Sequence, residues 1–190
     1  MRDQGTVGDL AGPAAPSAWV ARFLELMVPG GEVLDVACGR GRHLALGLAS
    51  GRRMVGVDRD VSQVAVAAAG ERLDLIEADL ENGAPWPLAE RTFDGVIVTN
   101  YLWRPLLPVI IGTAAGHGVL IYETFAVGQQ RFGRPRNPEF LLRPGELLDA
   151  VRPLLEVVAY EHLQLTEPDR MVQRIVAIAP THPKAAKVGA

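Results

Sequence analysis

Two kinds of segment alternate along the chain, and that alternation restricts its fold more than any other feature. Short aliphatic and β-branched runs occur at residues 32–37 (EVLDVA), 54–58 (MVGVD), 73–78 (LDLIEA), 93–100 (FDGVIVTN) and 118–124 (GVLIYET), each bounded by turn residues. Runs this short with little internal polarity read as buried strands. Between them stand longer Ala- and Leu-rich segments, GRHLALGLASG (41–51), VSQVAVAAAGE (61–71) and RPLLPVIIGTAAG (104–116), which predict helices. Two prolines shorten or kink the last of these. Strands that alternate with helices pair in parallel, and the helices cover the sheet. The third and fourth runs are joined instead by DLENGAPWPLAERT (79–92), a loop with little helical pattern.

The flanking segments complete the architecture. PSAWVARFLELMV (16–28) spaces Trp19, Val20, Phe23, Leu24 and Met27 as one face of a helix, and Pro29-Gly30-Gly31 stops it. After the fifth strand, FAVGQQRFGRPRNPEFLLRPG (125–145) is basic, punctuated by Gly and Pro, and longer than an ordinary connection, as a lid or binding loop is. A helix at PGELLDAVR (144–152) precedes LEVVAYEHL (155–163) and RMVQRIVAIA (170–179), an antiparallel pair that closes one sheet edge. The expectation is a single domain over residues 16–180, with a loose arm at 1–15 and a frayed tail at 181–190.

Composition narrows the class of partner. At 190 residues, with 48% hydrophobic and 22% charged, the chain suits one globular domain. A net charge of -3 disfavours a polyanionic partner such as nucleic acid. Cys38 is the single cysteine, which excludes an internal disulfide and a cysteine-rich metal site and suits a reducing compartment. No run approaches the roughly 20 apolar residues of a membrane span, and the first residues lack a signal-peptide core. A cytoplasmic protein with no membrane partner and no bound metal, monomeric or homodimeric, is expected.

In a parallel α/β sheet the ligand crevice lies beyond the carboxyl ends of the strands, where the strand order reverses. The stretch VLDVACGRGRH (33–43) falls there. Gly39 and Gly41 permit a tight turn and close approach of backbone to ligand, and the amides opening the next helix favour an anionic group. A dinucleotide and S-adenosylmethionine both use such a turn. The third glycine of a dinucleotide fingerprint is here Leu44, which weighs against the dinucleotide. Asp58, nineteen residues past Gly39, can accept the two ribose hydroxyls of either ligand. Asp79, just past the third strand, and the amide of Leu80 can read an adenine edge.

These residues resemble the glycine motif of class I S-adenosylmethionine-dependent methyltransferases, acid-x-G-x-G-x-G, which reads here Asp35-Val36-Ala37-Cys38-Gly39-Arg40-Gly41 with Ala37 in place of the first glycine. The likeness runs through Asp58, Asp79-Leu80 and TNYLW (99–103) and covers residues 30–125 or so. In DVACGRGRHLALGLA, VGVDRD and FLLRPGELL the chain looks most like the small tellurite-resistance-type branch. The resemblance implies an α/β, three-layer Rossmann-like fold: a mostly parallel seven-stranded sheet with an antiparallel edge strand. It also implies that Asp35 and the backbone at Ala37 and Gly39 hold the methionine amino end. Gly41 belongs to the same cofactor-binding turn, Arg42 or the helix amides face the methionine carboxylate, and Asp58 holds the ribose. Arg59 packs beside the adenine, Asp79 and Leu80 read it, and Asn100 and Tyr101 border the sulfonium and the methyl acceptor. The product is S-adenosylhomocysteine.

Methyl transfer is an in-line displacement that depends on alignment in a dry pocket, and a base is needed only when the acceptor must lose a proton. The titratable candidates are Glu123, at the carboxyl end of the fifth strand, with His43, His117 and His162. An arginine partner is the structural alternative for Glu123. Tyr101 and Trp103 supply an aromatic wall for the acceptor. Arg131, Arg134 and Arg136 with Phe132 either receive an anionic or planar substrate or form a solvated surface. The expected activity is methyl transfer to a small molecule. The alternatives are a catalytically silent binding module, a nicotinamide-dependent oxidoreductase and an RNA methyltransferase.

Overall fold

The structure, a computed structural model, describes residues 15–64, 70–114 and 116–185. Seven strands form one sheet: β1 (Glu32–Val36), β2 (Arg53–Asp58), β3 (Leu73–Glu77), β4 (Gly95–Thr99), β5 (Val119–Phe125), β6 (Glu156–Leu165) and β7 (Arg170–Ile178). Their order is β3-β2-β1-β4-β5-β7-β6. The strands from β3 to β5 pair in parallel, while β7 runs antiparallel to both β5 and β6. The predicted α/β sheet and its antiparallel closing pair are both present. Within that pair the reversed strand lies one place in from the edge, and β6 is the edge itself.

Among the described residues four α-helices flank the sheet: α1 (Ala18–Phe23), α2 (Arg42–Ala49), α3 (Leu107–Ala114) and α4 (Glu146–Val151). Side chains alternate along each strand, so successive residues feed opposite faces. Leu34, Val36, Val96, Val98, Leu120 and Tyr122 pack into one core with α3 and α4. Val33, Ile97, Val119 and Ile121 pack into the other with α1 and α2. Close packing sets the second layer's geometry: a Cβ on Gly47 of α2 would collide with the Met54 side chain of β2. Both central strands, β1 and β4, are buried almost throughout.

Helix ends follow local chemistry. The Ser17 hydroxyl accepts from the Trp19 amide and caps α1, which continues as a 3-10 turn over Leu24–Leu26 before Pro29. Pro105 lies in the 3-10 turn Arg104–Leu106 and Pro108 in the first turn of α3, where a missing N–H costs little, so the prolines delay the helix without kinking it.

Two sequence expectations fail, and a third falls in part outside the described residues. Only the ends of the helix predicted at 61–71 fall within the described residues: Val61–Val64 form a turn and Gly70–Arg72 a 3-10 turn. β3, predicted buried, is a sheet edge whose Asp74, Leu75 and Glu77 are exposed. A continuous aliphatic run does not by itself distinguish a central strand from an edge. Residues 181–185, predicted to fray, are packed. His182 is buried with its ring nitrogen on the Leu26 carbonyl at 3.1 Å, and Ala185 joins the α1 core. No helix among the described residues is long and apolar enough to cross a membrane.

Candidate functional site

The strand order reverses between β1 and β4, and the ends of those strands and their neighbours carry most of the singled-out residues. After β1 the backbone turns through positive φ three times, at Ala37 (53°), Gly39 (54°) and Gly41 (82°), before α2 begins. Two of the three are the glycines that such angles require. Ala37 takes the same conformation with a Cβ, at a cost of about 1–2 kcal/mol relative to glycine. The Gly39 amide donates to Asp58 Oδ2 at 2.8 Å, and the Cys38 amide to the Val57 carbonyl at 3.1 Å, which fixes the turn against the end of β2.

Through Ala37 this turn borders a cavity of about 440 Å³, lined also by Asp58, Arg59, Asp79, Leu80, Glu81, Tyr101 and Phe140, while Gly39 and Gly41 lie outside the lining. A second cavity, of about 860 Å³, opens beside it between Asn100, Leu102, Thr124, Phe125 and the 133–140 stretch of the long loop. Tyr101, Glu81 and Phe140 line both. Asn100 adopts φ 56° at the end of β4, an angle asparagine tolerates better than most residues, and its amide donates to the Glu123 carbonyl.

Asp35 lies beneath the turn, 1% exposed, with Oδ2 unpartnered among the described residues. Burial pushes its carboxyl up to about 8; Arg42 opposes that shift and Asp58 adds to it. His43 Nδ1 stands 3.9 Å from Asp35, and His43 Nε2 accepts from the Ser17 amide. The imidazole is therefore held neutral: burial, with help from Arg42, lowers its pKa to about 3. It is a structural link from α1 to β1 and not a base facing the crevice.

Not every predicted residue reaches the cavities. Arg42 extends toward Thr99 Oγ1 at 3.3 Å and the Ala15 carbonyl at 3.4 Å and lies outside either lining. Glu123 is buried among other partners. It accepts from the Ser17 hydroxyl at 3.1 Å, pairs with Arg174 at 3.4 Å and with Arg170 at 3.8 Å, and lines neither cavity. Arg174 also reaches Glu161 and stacks over the Trp19 ring at 4.4 Å. The arginine alternative is the one observed, and Glu123 is not positioned as a base. His117 meets Asp94 at the opposite end of β5, and His162 is exposed on β6.

Tyr101 stands where the cavities meet. Burial first, then the Glu81, Asp79 and Asp58 carboxylates, push its phenol above the ordinary range, so it stays protonated. Its Oη has no partner among the described residues. Sequence reasoning did not single out Glu81, Thr124, Phe125 or Phe140. Glu81 is two residues past Asp79, but Phe140 arrives from a loop with no local signal of its position. Arg104 fixes that loop through Glu146 at 2.6 Å and through the Glu139 and Leu141 carbonyls at 2.6 and 2.9 Å. Burial would raise the Glu146 carboxyl, but Arg104 and the Arg143 amide outweigh it and hold it below its usual value.

Residues 33–117 match the methyltransferase domain family. No curated protein sequence matches the chain. Among solved structures it is similar to a Burkholderia thailandensis 1,6-didemethyltoxoflavin N1-methyltransferase with bound 1,6-didemethyltoxoflavin and S-adenosylhomocysteine. There the identity is 19%, the TM-score 0.61, and the match covers 85% of this chain and 76% of that one. It is also similar to a TehB-like S-adenosylmethionine-dependent methyltransferase from Corynebacterium glutamicum (17%, TM-score 0.55, 85% and 87%). The cyclase SpnF shares the fold (17%, TM-score 0.61, 90% and 86%), so the fold alone does not fix the reaction. The methyltransferase-domain match runs from β1 to just before β5, and the 3-2-1-4-5-7-6 sheet has the fold of these S-adenosylmethionine-dependent methyltransferase structures.

Proposed function

We propose that this protein transfers the methyl group of S-adenosylmethionine to a small-molecule acceptor held in the larger cavity. The observation that carries the reading is the junction: a polar cavity bordered by the glycine turn and strand-end acids meets a mostly apolar one at Tyr101, Glu81 and Phe140. The donor set fits the cofactor. Asp58 and Asp79 offer acceptors for ribose and adenine, Leu80 an amide, and Arg59 a planar group beside the base. Below the turn, Asp35 Oδ2 is buried with no hydrogen-bond partner among the described residues, an atom suited to an ammonium group.

When bound, the cofactor supplies an electrophilic methyl on sulfur. The chain supplies position and dryness. Ala37, Gly39 and Gly41 bring backbone close to the methionine end, with Arg42 above it. Tyr101, shared by the two cavities, and Asn100, in the larger one, aim the acceptor, and Phe140 adds an apolar wall at the junction. Glu81 is the carboxylate placed to take a proton from an O–H or N–H acceptor, the role that Glu123 does not fill. A carboxylate at the junction favours turnover over a silent binding module.

Thermal unfolding of the purified protein with S-adenosylhomocysteine or NAD in excess tests the reading. A ligand at 100 times its Kd adds about 2.7 kcal/mol, which raises the midpoint by several degrees. A shift with S-adenosylhomocysteine alone is expected; a shift with NAD alone overturns the assignment.

A further inference from the structure

The larger cavity has an uneven wall. Its lining carries the rings of Tyr101, Phe125 and Phe140 with Leu102, and the long loop that brings Phe140 also contributes Arg134 and Arg136. Its volume, about 860 Å³, is within the range of small-molecule sites. Most of the cations around this loop are already engaged. Arg104 is fixed to Glu146, and Arg131 lies over the Phe132 ring at 5.3 Å with its Nε on the Gly128 carbonyl. Arg134 and Arg136 form no ion pair among the described residues. Both are exposed residues of the cavity lining, and with Glu81 standing at the junction they are the cations available there to an anionic group on the ligand.

Resting on the methyltransferase reading, we propose that the acceptor is a planar, largely apolar acid. Its rings lie against Tyr101, Phe125 and Phe140, and its oxyanion lies between Arg134 and Arg136. The charge distribution also orients it. Glu81, at the junction, repels the acid end, so the oxyanion points to the loop and the opposite edge of the ring system faces the cofactor cavity. A guanidinium fork binds a carboxylate through paired charge-assisted hydrogen bonds, whereas the rings discriminate little between a planar acid and its neutral isostere. Two arginines are too few, and the chain's net charge of -3 is of the wrong sign, for a nucleic-acid strand to be the anion.

The test is calorimetric binding of 2-naphthoate and 2-naphthamide, both planar and differing in charge, to protein saturated with S-adenosylhomocysteine. The acid is expected to bind about tenfold more tightly than the amide, with a preference that weakens as salt rises. In the double variant Arg134→Gln/Arg136→Gln the two probes are expected to bind about equally, while Arg131→Gln retains the preference. A midpoint shift with S-adenosylhomocysteine in every variant establishes that folding and the cofactor cavity are intact. Equal binding of acid and amide to the wild type, or an undiminished preference in the double variant, overturns the acid class alone. If S-adenosylhomocysteine fails to bind the wild type, the methyltransferase reading fails and this inference goes with it.

Discussion

The Gly39 amide donates to Asp58 Oδ2 at 2.8 Å, so the carboxylate ending β2 also closes the glycine turn that follows β1. Its other oxygen accepts from the Asp60 amide at 3.2 Å. One side chain thus organises two backbone segments and faces the smaller cavity. Asp58→Ala should weaken S-adenosylhomocysteine by about 1–3 kcal/mol, the range for hydrogen bonds to a charged group. Asp58→Asn keeps an acceptor for Gly39 and should fall between. Calorimetric affinities decide it: equal losses in both variants would place the whole effect in the charge, and no loss in either would move the ribose site elsewhere.

Ala37 is the member of the turn that departs from the glycine motif, and its φ of 53° is one a side chain resists. Relief of about 1–2 kcal/mol of strain on Ala37→Gly is opposed by about 0.4–1 kcal/mol of added unfolded-chain entropy. The relief outweighs the entropy. Urea unfolding of Ala37→Gly should show a net gain of about 0.5–1 kcal/mol with an unchanged m-value, and a loss would mean that the Cβ makes contacts worth more than the strain.

How much of this was legible in the sequence depends on range. Asp35, Gly39, Asp58 and Asp79 are readable because each sits at a fixed offset from the end of a strand, and strand ends are marked by aliphatic runs. Their convergence follows from the parallel order alone. Glu123 shows where that logic stops. It too ends a strand, but its neighbour across the sheet is the antiparallel β7, whose Arg174 stands in register with it and neutralises it. Register between segments about fifty residues apart has no local signature. The same holds for Phe140, which reaches the junction because Arg104 and Glu146 fasten a loop that composition marks only as long and basic. The edge position of β3 was hidden for a related reason, since Leu73, Leu75 and Ile76 look alike in a central or an outer strand.

Asp35 makes stability depend on pH in a defined direction. Its carboxyl has an ordinary value of 3.8 and is raised to about 8 in the folded protein, chiefly by burial. Between those values the folded state holds a proton that the unfolded state has lost, so this group's contribution makes stability fall as pH rises. His43 acts in the opposite sense below its ordinary value of 6.5, because it stays neutral in the fold down to about 3. The difference between Asp35→Asn and wild type isolates the carboxylate. The variant's advantage in unfolding free energy should grow from pH 5 to about 8 and level off above it, with weaker binding of S-adenosylhomocysteine throughout. A pH-independent difference would show that Asp35 is ionised in the folded protein across this range.

Glu81 and Glu123 are two carboxylates whose substitutions should have opposite signatures. Glu81 is exposed at the junction of the cavities, and Glu81→Gln should leave the unfolding midpoint within about a degree, as for most surface changes. With an acceptor that must lose a proton, its turnover should fall by about 10²-fold, the lower end for a lost general base, while affinity for S-adenosylhomocysteine holds. Glu123 is 1% exposed, with Arg174 and Arg170 beside it and the Ser17 hydroxyl donating to it. Both arginines reach solvent, which softens the penalty of unpairing them. Glu123→Gln should therefore cost about 1–3 kcal/mol of stability, with turnover per folded molecule nearly unchanged. Parallel kinetics and unfolding on the two variants separate the roles: a large loss of turnover in folded Glu123→Gln would return the proton-accepting role to β5 and remove it from Glu81.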